Sequence, residues 1–289
     1  MKPYDLHNHT SLSKDGKIPP KELIDLAISR GVKGLGICDH DEFPDESLYD
    51  YAKQKGLKLA LGIEFSCRMA HIIGYNMNIQ DADRAFLEQK FDELRKDYDN
   101  VSRQMIQLMQ KSGIDITYEK IQKKYNKDTF SKLFIMKYFA EELGLAKSWS
   151  DSRKILKQKG LYIRDGQDVE QLEPSEAVDI IHRAGGFAIW AHPFITPQPL
   201  RHKYFKELLP RIDAIEVHYA YDQNGYPGDE TNEQLETMVR EEIKDMKTLV
   251  SGGSDSHFPL KTYSDLSPIY PGDFGISEEE YNQLFWIFH

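Results

Sequence analysis

The sequence predicts an α/β protein, a barrel of seven strands, mostly followed by helices, with a helical segment inserted part-way along the chain. Three observations lead there. Short apolar runs alternate with amphipathic stretches in the first quarter of the chain and again after residue 173. Between those regions, residues 80–172 read as charged amphipathic helices. A chain of 289 residues, 40% hydrophobic, can also bury one large core and still carry an insertion.

Taken in order, YDLHNH is the first strand candidate. PPKELIDLAISRG follows as a helix, with proline at its start, Leu23, Leu26 and Ala27 on one face and Gly31 as its stop. GLGICDHD reads as a strand, SLYDYAKQKG as a helix, and KLALGIEFSC and MAHIIGYN as two more strands. The insertion opens on the long amphipathic stretch FLEQKFDELRKDYDNVSRQMIQLMQKSG and continues with shorter helices such as SKLFIMKYFAEELG. Alternation resumes at PSEAVDIIHRAGG, a helix opened by Pro174 and Ser175 and closed by Gly185 and Gly186. FAIWAHP, IDAIEVHY and TLVSGGSDSH complete the strands, the last two separated by the helical stretch NEQLETMVREEIKDM. The expected division is therefore a barrel from residues 1–79 and 173–289 and a helical subdomain from 80–172. No fixed-period repeat interrupts it.

Composition narrows the function. A formal charge of −10 argues against general affinity for duplex nucleic acid or anionic membrane, so a phosphorylated substrate needs a local positive centre, which bound metal can supply. The two cysteines, Cys38 and Cys67, each sit in an apolar run and suit buried thiols in a reducing compartment. MKPYDLHNHT has no apolar signal core and no 18-residue apolar run exists anywhere, so a cytoplasmic location away from membrane is expected.

The residues able to carry chemistry gather at strand ends. His7 and His9, His40, His71, His192 and His257 lie at or just past apolar runs, and strand ends of a parallel barrel converge on one face. His-x-His at strand spacing points both imidazoles the same way. Alone, that pair also fits two polar residues near an edge. The acids change the balance: Asp15 follows the pair, Asp39 and Asp41 flank His40, Glu64 closes ALGIE, and Asp255 stands two before His257. Imidazoles and carboxylates together make a ligand set suited to zinc, manganese or iron, and one carboxylate can bridge two cations. Individually, His71 also fits a hydrogen-bonded core histidine and Asp255 a turn residue.

The set resembles the polymerase and histidinol phosphatase (PHP) family of metal-dependent phosphoesterases. The resemblance rests on H-x-H at His7 and His9, D-G at Asp15 and Gly16, D-H at Asp39 and His40, and G-x-E at Gly62 and Glu64. It continues with H-x-x-G at His71 and Gly74, A-H-P at Ala191 to Pro193 and S-D-x-H at Ser254 to His257, in the family's order over nearly the whole chain. It implies a distorted TIM-like barrel and a site of two or three divalent cations (manganese, iron or zinc). In that pattern His7, His9 and Asp255 hold one metal, Glu64 bridges it to a second bound by His71 and His192, and Asp15, His40 and His257 hold a third.

The helical insertion looks like the branch containing nucleoside-monophosphate and 3′,5′-bisphosphate phosphatases and a 5′-end exonuclease for short RNA, where it is expected to cap the substrate. That branch carries an arginine close behind A-H-P and an Arg-Pro-His element in the insertion. Here the chain reads AHPFITPQPLRHK and DTFSKLFIMKYF, leaving Arg201 and Lys132 as counterparts at altered spacing. Lys14, beside Asp15, is a further substrate-phosphate candidate.

The activity implied is hydrolysis of a small phosphorylated metabolite, foremost a nucleotide, by attack of a metal-bridged hydroxide with Glu64 and Asp255 in the catalytic centre. His218 in EVHY is a candidate proton donor to the leaving group or a residue of the pocket wall, and Glu216, on the same face by strand alternation, shares that ambiguity. Tyr219 and Tyr221 read as base-stacking or packing residues. Histidinol phosphate, a cyclic phosphate or the 5′ end of a short oligonucleotide are alternative substrates. A metal-dependent amidohydrolase is the reading outside this class. Nothing in the sequence selects an oligomeric state.

Overall fold

In the computed structural model, residues 2–164, 169–224, 226, 228–260 and 268–284 are described. The chain divides into two compact units. Among the described residues, one holds those up to Arg84 and those from Leu172 on, the other Ala85–Gln171.

The first unit is built on a seven-stranded sheet whose strands lie in chain order: β1 (Tyr4–Asp5), β2 (Gly34–His40), β3 (Lys58–Cys67), β4 (Ala70–Tyr75), β5 (Phe187–Ala191), β6 (Ala214–His218) and β7 (Leu249–Gly252). Leu6 N donates to Gly252 O at 3.1 Å and His9 N to Ser256 O at 3.0 Å, so the first strand's continuation meets the end of β7 and the barrel nearly closes. Its core stacks Tyr4, Leu6, Cys38, Ala60, Ile73, Tyr75, Ile189 and Ala214. Helix α1 (Pro20–Ser29) and helix α2 (Ser47–Lys55) cover β2 and β3, burying Leu23, Ala27, Leu48 and Ala52 against Leu35, Ile37 and Leu59. Ile24, not the expected Leu26, is the third fully buried residue of α1, because a 3.6-residue period carries the apolar stripe from Leu23 through Ile24 to Ala27.

Two features depart from a simple parallel barrel. β1 is two residues long, and His7 and His9 lie beyond it in backbone held by the bonds to Gly252 and Ser256. β4 runs antiparallel to both β3 and β5. Only Arg68 and Met69 separate β3 from β4, with Met69 at φ 59°, and so short a connection can only be a hairpin. The reversal matters: it puts the start of β4, where His71 stands, at the face where the other strands end.

The second unit is helical. The long α3 (Asp81–Lys111) is followed by α4 (Tyr118–Tyr125), α5 (Lys132–Glu141) and α6 (Trp149–Gln158). Met105, Ile106, Ile121, Phe134, Ile135 and Leu156 are among its buried residues. Thr117 and Ser148 cap α4 and α6 through their hydroxyls.

In the first unit, α7 (Pro174–Arg183) starts with proline and a capping box between Glu173 and Glu176. Helix α8 (Gln198–Glu207), helix α9 (Asn232–Ile243) and helix α10 (Glu278–Leu284) follow. Both cysteines are buried and unbridged. Among the described residues, no helix is long and apolar enough to cross a membrane.

Candidate metal centre

The nine side chains singled out by the motifs meet on one face of the barrel. His40 closes β2, Glu64 pairs in register with it on β3, and His71 opens the reversed β4 opposite Ala191, whose neighbour His192 follows β5. Asp255 and His257 lie on the loop after β7. Four groupings place metal-ligating atoms within 4.8 Å of one another: His7, His9 and Asp255; His7, Glu64 and His192; His40, Glu64 and His71; and His9, Asp15, His40 and His257.

Glu64 is the centre of the arrangement, fully buried on β3, a strand paired on both sides. Its Oε1 lies 2.9 Å from His71 Nδ1 and 3.1 Å from His192 Nε2. Its Oε2 faces His9 Nε2 at 3.1 Å, His40 Nε2 at 3.2 Å and His7 Nε2 at 3.3 Å. Asp255 Oδ1 sits 3.1 Å from His9 Nε2 and 3.4 Å from His7 Nε2. Asp15 faces His257 Nε2 at 3.3 Å and His40 Nε2 at 3.8 Å.

These contacts suit a cation better than hydrogen bonding. Glu64 Oε2 has no hydrogen bond of acceptable geometry despite three imidazole nitrogens around it, and His9 Nδ1 and His257 Nε2 likewise have none. His7 Nε2 and His9 Nε2 approach to 3.2 Å, where two neutral imidazole lone pairs repel unless a proton or cation lies between them. Buried polar atoms left this way are costly, and a donor set of imidazoles and carboxylates is the one divalent transition metals take. His7, His9 and Glu64 are buried, whereas Asp15, His71, Asp255 and His257 are partly exposed, which leaves an open side for substrate.

Burial opposes the charged form of Glu64, but the imidazoles of His40, His7 and His71 and a hydrogen bond from His192 hold its carboxyl well below the usual range. Burial pushes the His40 imidazole well below its usual value, with Lys14 and His9 adding to that and Glu64 and Asp15 opposing it. These two shifts favour the carboxylate and the neutral imidazole that a metal requires. Burial opposes the charged forms of His7, His9 and His192, but the carboxylates facing them outweigh it and raise the pKa of all three, so a cation there would have to displace protons.

The frame behind the ligands is also polar, and two buried carboxylates in it gather several donors each. Asp39 accepts from Thr10 N at 2.6 Å, Thr10 Oγ1 at 2.7 Å and Ser13 N at 3.2 Å, fixing the loop that carries Asp15. Asp5 accepts from Gly272 N at 2.7 Å, Ser254 N at 2.9 Å and His7 N at 3.2 Å, and burial pushes its carboxyl up to about 6. His192 and Asp255 adopt φ of 30° and 48°, left-handed backbone that costs a non-glycine residue about 1–2 kcal/mol. The strain falls on two of the nine.

Other candidates are placed differently. His218 does not reach the cluster: its Nδ1 lies 3.1 Å from Glu236 and its Nε2 3.1 Å from Glu280, on the outer side of β6. Strand alternation pairs it with Glu216, but the β6–β7 register slips between Glu216 and His218, so Val217 is an extra residue and alternation fails there. Lys14 stands beside the site, its Nζ donating to Ser66 Oγ at 3.2 Å, and Ser66 Oγ is 3.3 Å from His40 Nδ1. Arg201 is half-buried against the Phe194 ring, with Nη1 3.4 Å from the carbonyls of Phe194 and Thr196. Lys132 belongs to the helical unit, where it donates to Ile163 O at 3.3 Å and lies over Tyr162. Tyr221 packs edge-on to Phe194 and is fully buried, which excludes it as an open stacking platform.

A family model described as PHP domain matches residues 5–170. The chain belongs to the PHP family. Curated relatives extend the likeness over most of the chain. A 5′-3′ exoribonuclease of Haemophilus influenzae is 27% identical over 89% of this chain and 91% of its own, and the 5′-3′ exoribonuclease Rnm of Salmonella typhimurium is 29% identical over 89% and 85%. A phosphoribosyl 1,2-cyclic phosphate 1,2-diphosphodiesterase of Eggerthella lenta is 23% identical over 65% and 73%. Among solved structures, a candidate metal-dependent phosphoesterase from Bifidobacterium adolescentis shares the fold, at 20% identity with a TM-score of 0.75 over 99% of this chain and 96% of that one. So does an amidohydrolase from Chromobacterium violaceum with bound sulfate and no metal, at 22% identity and a TM-score of 0.73 over 99% and 97%. As a PHP protein, the chain is a metal-dependent phosphoesterase.

Proposed function

We propose that this PHP phosphoesterase hydrolyses nucleotide phosphoesters at the 5′ end of short RNA, with nucleoside 3′,5′-bisphosphate as the smallest substrate of the same kind. The observation that carries the reading is Glu64, one buried carboxylate with two imidazoles on one oxygen and three around the other. That arrangement fits a bridge between neighbouring cations. His7, His9 and Asp255 would hold one, His71 and His192 a second, and Asp15, His40 and His257 a third. Cations held there would lower the pKa of a coordinated water from about 15.7 toward neutrality and would neutralise charge on the phosphoryl oxygens.

The chain's own residues supply the rest. The carboxylates of Asp15, Glu64 and Asp255 offset the positive charge of the site while leaving its exposed side open. Lys14 is proposed to contact the substrate phosphate, since its ammonium is held beside His40 through Ser66. Arg201 is proposed for a second phosphate, because two carbonyls and the Phe194 ring hold its guanidinium in one orientation. The overall charge of −10 favours recognition confined to a chain end, because a long polyanion would need many neutralising contacts. The exoribonuclease relatives, similar along most of the chain, support RNA as substrate.

The test is a substrate panel with manganese-loaded protein: 5′-phosphorylated RNA of a few nucleotides, nucleoside 3′,5′-bisphosphate, 5′-mononucleotides, a cyclic ribose phosphate and histidinol phosphate. Mononucleotide released stepwise from the RNA, and inorganic phosphate from the bisphosphate, are expected, and chelator should abolish both. An enzyme that turns over only the cyclic phosphate or only histidinol phosphate overturns the RNA assignment. No hydrolysis of any of them overturns the function.

A further inference from the structure

β6 contributes none of the nine candidate ligands, yet two side chains on it and just after it reach them. Glu216, 1% exposed, spreads its carboxylate over two residues that follow different strands. Its Oε1 accepts from His7 Nδ1 at 3.1 Å and its Oε2 accepts from His192 N at 2.8 Å. Tyr219, 2% exposed, donates its hydroxyl to Asp255 Oδ2 at 2.7 Å. The bulge at Val217 makes this possible, because one extra residue turns His218 outward and brings Tyr219 to the side already occupied by Glu216.

We infer that Glu216 and Tyr219 are positioning residues that orient three ligands of the metal centre from a strand that supplies none. The inference rests on the metal-centre reading above. Accepting from Nδ1 keeps the His7 proton there and leaves the Nε2 lone pair facing Glu64 Oε2 and Asp255 Oδ1. The same carboxylate holds the backbone of His192 where φ is 30°, a conformation that persists only when its surroundings fix it. Tyr219 occupies one oxygen of Asp255, so the other is the one presented to His7 and His9.

Conservative variants separate this from a bland packing role. Glu216→Gln keeps shape and volume, but an amide cannot accept from both His7 Nδ1 and His192 N, since one of its two heads is a donor. Tyr219→Phe removes a single hydroxyl. His218→Gln alters the side chain that the bulge turns away and serves as the control on the same strand. The readout is manganese and zinc affinity and stoichiometry, by competition with a metal-binding indicator and elemental analysis, with far-UV circular dichroism to verify folding.

E216Q is expected to weaken metal binding about 10- to 100-fold, the range typical of residues that support metal ligands, and Y219F to weaken it in the same direction. H218Q should bind as wild type does. Wild-type metal uptake combined with unaltered affinity in folded E216Q and Y219F overturns the inference alone. A wild-type protein that takes up no metal overturns the metal-centre reading and this inference with it. A loss in H218Q equal to that in E216Q also overturns it, because the effect would then belong to the strand as a whole.

Discussion

Gly253, in the run SGGSD, offers a direct test of how tightly the site is built. A Cβ placed there would lie 2.3 Å from His7 Cβ, 2.4 Å from His7 N and 2.8 Å from His7 Cα. Ordinary contact begins near 3.4 Å, so Gly253→Ala must push the two backbones apart by about 1 Å, and neither can yield by rotating a side chain. His7 is the residue displaced, and its Nε2 lies only 3.2–3.4 Å from His9, Glu64 and Asp255. Overpacking of this kind costs about 1–3 kcal/mol of stability. A shift of about 1 Å in a reacting constellation can cost about 100-fold in rate.

Gly185 provides the comparison. Its φ is 70° and nothing lies within 4 Å of a Cβ built on it, so Gly185→Ala carries only the left-handed penalty of about 1–2 kcal/mol. The two variants should therefore melt at similarly lowered temperatures, while only G253A loses metal affinity and kcat/KM. Thermal melts, metal titrations and steady-state kinetics on the best substrate of the panel give all three quantities. G253A with wild-type metal affinity and turnover would refute the reasoning, whatever its melting temperature.

Glu64→Gln should lower the number of metal ions retained per chain and reduce turnover by more than the roughly 10- to 100-fold that a residue merely supporting a ligand costs. Elemental analysis beside phosphate-release kinetics checks this, and unchanged turnover would contradict the bridge. The cluster around His218 predicts a pH-dependent stability. Burial opposes the imidazolium, but hydrogen bonds with Glu236 and Glu280 outweigh it and hold the pKa above the usual 6.5. Its stabilisation is thus complete below about pH 6.5 and is lost as pH rises through the raised value. The melting-temperature gap between wild type and H218Q should narrow from about pH 6 to about pH 9, and a gap constant over that range would show that His218 contributes no proton-linked stability.

What the sequence by itself determined is what local spacing and residue chemistry carry. Apolar periodicity marks β2, β3, β5 and the helices α1, α2 and α7 close to their observed ends, because each element's core-facing stripe is written in consecutive residues. The ligand types at strand ends were legible from chemistry of the same local kind. Imidazoles and carboxylates recurring beside apolar runs are costly to bury unless a cation joins them.

Only the tertiary structure decided how those residues face one another. The two-residue connection after β3 dictates the reversal of β4, but only the assembled sheet shows that the reversal brings His71 to the ligand face, beside β5 and His192. The slip at Val217 exchanges His218 for Tyr219 at the centre, and a strand's alternation cannot announce a bulge set by the register of β7. Which Glu64 oxygen meets which histidine depends on chain segments converging from as far apart as residues 7 and 192. Such contacts are fixed by barrel closure, through bonds such as His9 N to Ser256 O, across nearly the whole length of the chain.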